Sequence, residues 1–175
     1  MKANHYLDNG RFLNELIEYK SKCTIALENN QETPRIPEFI GHSFLLLVEN
    51  FAKKPDYSGY PSQVLESLKS DAILNCLQCV HNFSPDTSKN PFAYFTMVIS
   101  RCFWRTISAE RKRLYQKYKI MEGSGILDEP GVFDEIDSED QYEIYDNISE
   151  FIETYEYHER KRKDSKKKTL EKFFE

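Results

Sequence analysis

A chain of 175 residues has room for one core of ordinary size with appendages, not for two full domains. With 11 Tyr and 12 Phe, 30% charged residues, and only 6 Gly and 7 Pro, its composition favours helices over a sandwich of short strands. No run reaches the ~18 apolar residues of a membrane span and the first residues lack a signal-like apolar stretch, so a cytosolic protein without membrane attachment is expected.

The net charge of −5 argues against a nucleic-acid binder only as an average. Residues 101–119 are basic except for Glu110, residues 121–157 carry acidic groups alone, and basic residues return over 160–168.

In chain order, Asp8 or Asn9 caps a first helix, with Phe12, Leu13, Leu16, Ile17 and Tyr19 at helical spacing up to about Ala26. The stretch ENNQETPRIP ends it. A second helix over 38–53 carries Ile40, Phe44, Leu47, Val48 and Phe51 in one stripe and closes at Lys54-Pro55. After the loop DYSGYP, a third helix over 62–82 keeps Leu65, Leu68, Ala72, Leu77, Val80 and Phe83 on an apolar face. Its polar face holds Glu66, Lys69, Ser70, Asp71 and Gln78.

Asn90 then caps a long fourth helix over 91–118, with Pro91 at the first helical position, where its missing N–H is no loss. Phe92, Phe95, Ile99, Phe103, Ile107 and Leu114 are available to the core. A fifth, acidic helix is expected over 139–155, with Ile144, Ile148, Phe151 and Ile152 on one side. The run HERKRKDSKKK reads as a solvated tether.

On the fourth helix, Tyr94, Arg101, Arg105 and Lys112 fall in one stripe at spacings of seven, four and seven. Guanidinium and ammonium groups suit phosphates, and a flat ring suits an unstacked base, so the stripe with Phe95 and Trp104 beside it reads as a single-strand platform. The alternative is a solvated helix face whose aromatics fill the core.

The segment SDAILNCLQCVHNFSPDTSKNPFAYFTMVISRCFWRTISAERKRLYQKY resembles sigma region two. Phe83 ends one helix, and the next opens on Phe92-Ala93-Tyr94-Phe95-Thr96 and closes on Arg111-Lys112-Arg113. Through DYSGY, HNF, NPFAYFT and ERKRLYQKY the chain is similar to the late-transcription sigma factors of T-even-type bacteriophages, over residues 6–121 and again at the C-terminus.

The resemblance implies an all-α region-two domain that binds bacterial RNA polymerase core and directs initiation at AT-rich, TATA-like late promoters, in the cytoplasm of an infected bacterium. The helix ending at Phe83 would meet the clamp coiled coil of the polymerase's largest subunit through Glu66, Ser70, Asp71, Ile73 and Leu77, with Asp71 as the leading charged contact. The following helix would face promoter DNA, with Tyr94 and Phe95 against a flipped base. Arg101, Cys102, Trp104, Arg105, Thr106, Arg111, Lys112 and Arg113 complete that surface. Val98 and Ile99 stand where primary sigma factors carry Trp, which implies weaker melting.

The chain ends KKKTLEKFFE, and one helical turn gathers Leu170, Phe173 and Phe174 on one side. The pattern fits either a last turn folded back on the domain or a presented hook. The same family carries a terminal peptide of this kind that binds the DNA sliding clamp, which implies a clamp-tethered promoter search. The resemblance further implies a separate small co-activator on the polymerase flap in place of a domain that reads the distal promoter element, and the free protein is expected to be a monomer.

Residues 1–121 thus read as the domain, 122–157 as an acidic, partly helical segment, 158–168 as a charged tether and 169–175 as the clamp peptide. The acidic segment could mimic DNA and mask the basic helix. Cys76-x-x-Cys79 has no second ligand pair, and the four cysteines read as reduced apolar residues. With no phosphate loop, nucleophile elbow or acid/base pair, neither catalysis nor a cofactor is expected. The competing readings are a clamp-tethered nuclease or repair accessory factor, which needs metal-binding carboxylates, and a polymerase-binding adaptor or anti-sigma protein.

Overall fold

In the computed structural model the described residues are 6–125 and 138–174, with side chains described for 6–125 and 146–167. The described elements are all helical: α1 Asn9–Glu28, α2 Glu38–Ala52, α3 Ser62–Cys79, α4 Pro91–Ser124 and α5 Ser138–Phe174, with short 3-10 turns at Pro55–Tyr57 and Val80–Asn82. The all-α expectation is met. The chain divides into two units between Ile107 and Ser108, inside α4.

In the first unit α1 is bounded by local chemistry at both ends. The Asp8 side chain accepts from Gly10 N at 2.9 Å and Arg11 N at 3.1 Å, satisfying two orphan donors of the first turn. At the other end Asn30 takes the left-handed conformation at φ 53°, and Gln31 N donates back to Ala26 O at 2.8 Å. This is the reversed C-terminal bonding that Asn tolerates better than most residues.

Phe12, Leu16, Tyr19, Cys23 and Ala26, spaced four-three-four-three, form the buried face of α1. Ile17 falls off that face and is 45% exposed. Helix α2 buries Ile40, Phe44, Leu47, Val48 and Phe51, and Ser43 joins them because its hydroxyl donates to Phe39 O at 2.7 Å.

The last turn expected of α3 is a 3-10 turn, which swings Phe83 into the core. Lys20 Nζ donates to the Phe83 carbonyl, closing that exit. Asn90 caps α4 as its sequence position predicts, accepting from Ala93 N at 3.1 Å, and Asn9 reaches across to accept from Phe92 N at 3.0 Å.

A ring cluster occupies the centre. Phe95 lies 4.6 Å from Phe44, 5.6 Å from Phe12 and 6.0 Å from Phe83 between centroids, and all four rings are fully buried. Tyr57, in the DYSGY loop, sits edge-on to Phe103 at 5.0 Å and so fixes the α2–α3 connection to the core.

The second unit pairs the end of α4 with α5. Ile148 and Ile152 are buried against Tyr115, Tyr118 and Met121, and Tyr115 stacks on Tyr155 at 4.4 Å with 16° between planes. Helix α5 continues to Phe174, so the backbone over 158–168 is helical where a tether was expected. The cause lies in the sequence after Ser138: it holds no Gly or Pro, is dense in Glu, Lys and Arg, and carries the i,i+3 pair Arg162–Glu159 at 3.2 Å.

Candidate nucleic-acid interface

The register of α4 decides which of its residues can meet a ligand. Phe95, Ile99 and Phe103, four apart, turn inward and are fully buried. The opposite side leaves Arg101, Arg105, Arg111 and Lys112 exposed and Trp104 67% exposed, while the half-buried Thr106 and the exposed Arg113 follow on the Phe95 side, further along the helix. Two of the residues expected to meet DNA lie inside: Phe95 is 0% exposed, so stacking on a base would require it to leave the core, and Cys102 is 3% exposed.

Phe95 instead supports the neighbouring ring. Tyr94 meets Phe95 at 5.0 Å and 88° and Phe83 at 5.3 Å and 62°, so two buried rings back it edge-on while its own remains half-buried. Burial pushes the Tyr94 hydroxyl above its ordinary value, leaving it protonated at neutral pH.

Beside Tyr94 runs a groove of about 300 Å³, lined by Asn75 and Cys79 of α3 and by Tyr94, Met97, Arg101 and Arg105 of α4, with Val98 and Cys102 between them. Asn75 organises it: its amide donates to Asp71 O at 2.7 Å and lies 3.3 Å from Cys102 Sγ, while its carbonyl oxygen accepts from Arg105 Nη2 at 3.3 Å. The Arg105 guanidinium is therefore held across the groove, with donors left for an anion. Nothing in the sequence pattern marks Asn75 or the exposed Met97; only the placement of α3 beside α4 brings them to the site.

Burial raises the thiols here, Cys76 to about 12 and Cys102 in the same direction, so both stay protonated at neutral pH. That accords with cysteines acting as small apolar residues. Among the described residues no group of three His, Cys, Asp or Glu gathers to hold a metal, and no helix is long and apolar enough to cross a membrane.

The residues expected to meet a polymerase divide between two sides of α3. Glu66 and Ser70 are exposed, with Ile73 and Leu77 half-buried along the same stripe and Leu74, missed in the sequence, 53% exposed beside it. Glu66 shares Lys69 with Glu49 of α2, both carboxylates 3.0 Å from Nζ. Asp71 lies on the other side, one turn before Asn75, and its charge acts on Cys102. It stands behind the groove, its carbonyl accepting from Asn75, and not on the Glu66 stripe.

In the second unit, Glu156 of α5 accepts from the Tyr115 hydroxyl at 2.9 Å and lies 3.4 Å from Lys119 Nζ. Among the described residues that is the one ion pair between the two helices, and Arg111, Lys112 and Arg113 remain exposed. Leu170 and Phe173 are within α5 and Phe174 ends it, while their side chains lie outside the described residues, as does the acidic run over 126–137. Compared with known proteins, the chain matches no protein-family model and no curated sequence.

Proposed function

We propose that this protein is a sigma factor that joins bacterial RNA polymerase core and directs initiation at AT-rich promoters, acting by binding rather than by catalysis. The observation that carries the reading is the α4 face. Tyr94, Arg101, Trp104 and Arg105 stand on the outer side of one helix, backed by a rigid ring cluster and bordered by a groove. Rings interleaved with guanidinium groups suit unpaired bases and their phosphates, at roughly 1–3 kcal/mol per stacked base.

The sequence similarity to T-even-type late sigma factors supports the same reading over residues 6–121. The α3 stripe of Glu66, Ser70, Leu74 and Leu77, mixed apolar and acidic, suits a docking contact with the polymerase clamp, and the Leu170, Phe173 and Phe174 hook suits a sliding clamp. A small co-activator on the polymerase flap completes the assembly, which forms in the cytoplasm of an infected bacterium.

Run-off transcription with bacterial core polymerase on an AT-rich promoter, with and without a sliding clamp, tests the proposal. Initiation in the presence of the protein is expected, and truncation before Leu170 is expected to remove clamp stimulation while sparing basal transcripts. Absence of both core binding and transcripts would overturn it.

A further inference from the structure

The basic run that follows Glu159 was expected to be a tether, and its helical course changes what it can do. Folded into α5, it brings Arg160 and Lys163 to the same groove as Lys112 of α4, a concavity of about 360 Å³ that also includes Tyr115, Tyr155 and Glu156. Two carboxylates line the groove, and both are engaged. Glu156 is held by the Tyr115 hydroxyl and Lys119, and Glu159 pairs with Arg162 at 3.2 Å.

Among the described residues, no carboxylate lies within 4.0 Å of the charged nitrogens of Lys112, Arg160 or Lys163. Arg160 spends one N–H on the Glu156 carbonyl at 3.4 Å and keeps the rest of its fork. Three cations from two helices therefore converge, and among the described residues none of them is held in an ion pair.

We infer that the α4–α5 groove bearing Lys112, Arg160 and Lys163 grips the phosphodiester backbone of duplex DNA, a contact that starts at Lys112 of the basic α4 stripe and adds Arg160 and Lys163 of α5 to it. Backbone rather than base recognition is favoured by the rings: Tyr115 and Tyr155 are stacked on each other, so each already has one face occupied, whereas the three cations suit phosphates. A lipid surface would need apolar residues beside the cations, and the apolar side of α5, Ile148 and Ile152, is already buried. The contact is sequence-independent and stands whether or not the chain opens promoters.

The test is fluorescence anisotropy of the full-length protein, without polymerase, on a labelled duplex of arbitrary sequence from 50 to 200 mM salt. Replacing Lys112, Arg160 and Lys163 by Ala removes three phosphate contacts. Affinity should fall at least ten-fold at low salt, and the slope of log K against log salt should flatten by about 2 to 3. Arg at all three positions should restore both. Arg35→Ala/Lys53→Ala/Lys89→Ala removes three exposed charges elsewhere and should leave the slope unchanged. An equal loss in that control, no measurable binding by the unaltered protein at 50 mM salt, or tighter binding to single strands or to anionic phosphatidylserine vesicles would each overturn the inference.

Discussion

The Tyr115 hydroxyl donates to Glu156 Oε1 at 2.9 Å, and the same oxygen lies 3.4 Å from Lys119 Nζ. One acceptor thus joins α4 to α5 through a neutral and a charged donor. It lies at the point where the acidic half of α5 gives way to its basic half.

That relationship makes the hairpin sensitive to pH at both ends of the scale. The hydrogen bond from Tyr115, followed by the charge of Lys119, holds the Glu156 carboxyl below the ordinary glutamate value. A depressed carboxylate contributes stability that is complete above its unfolded value and lost as pH falls through the folded one. The Tyr115 hydroxyl, raised chiefly by its bond to Glu156, contributes below its unfolded value and stops contributing as pH rises through the folded one. Tyr115→Phe should therefore move the Glu156 titration, followed by carboxyl NMR, upward toward an ordinary glutamate. An unmoved titration would show that the bond does not form in solution.

The rings of α4 are expected to separate into two classes on substitution. Phe95→Ala empties the centre of a four-ring cluster and should cost about 3–5 kcal/mol in chemical denaturation. Trp104→Ala, at a site 67% exposed, should change stability by no more than about 0.5 kcal/mol. On a forked promoter duplex bound with core polymerase the order should reverse, with Trp104→Ala losing about 1–3 kcal/mol of affinity, the worth of one stacked base. As the single Trp of the chain, Trp104 should also report binding by quenching of its own fluorescence.

The contrast between Phe95 and Trp104 marks what the sequence alone could resolve. Helical periodicity, the Asp8 and Asn90 caps and the Lys54-Pro55 stop are local signals, and they place α1, α2 and the start of α4 to within two residues, while the end of α4, with no such stop, runs six residues further than expected. Whether a ring on α4 faces inward depends on where α1 and α2 lie, which periodicity cannot state when both sides of the helix carry aromatics. Asn75 was illegible for the same reason, since its bonds to Cys102 and Arg105 span 27 and 30 residues. The course of α5 is not legible in the sequence because a dense run of charge suits a solvated tether and an exposed helix equally.

Asn75 should behave as a positioning residue for Arg105. Asn75→Ala removes the acceptor that holds the guanidinium and should weaken forked-DNA binding by roughly three- to ten-fold, about 0.5–1.5 kcal/mol for one hydrogen bond. In a double-mutant cycle with Arg105→Ala the second substitution should then cost less than it does alone, whereas Arg101→Ala should add independently. Full additivity with Arg105→Ala would mean that the 3.3 Å contact has no role in holding the arginine.

The helical course of α5 to Phe174 also bears on how the proposed clamp-binding residues would be presented. On a flexible tether, one added residue changes effective concentration very little, because the dependence on length is a shallow power law. On a continuous helix, one added residue turns everything beyond it by about 100°, and four turn it by about 400°, close to one full revolution. One Ala inserted between Lys166 and Lys167 should therefore lower clamp-stimulated transcription several-fold without altering basal transcripts. Four inserted Ala should recover most of it. If one and four insertions behave alike, Leu170, Phe173 and Phe174 are presented by a segment that unwinds before it meets the clamp.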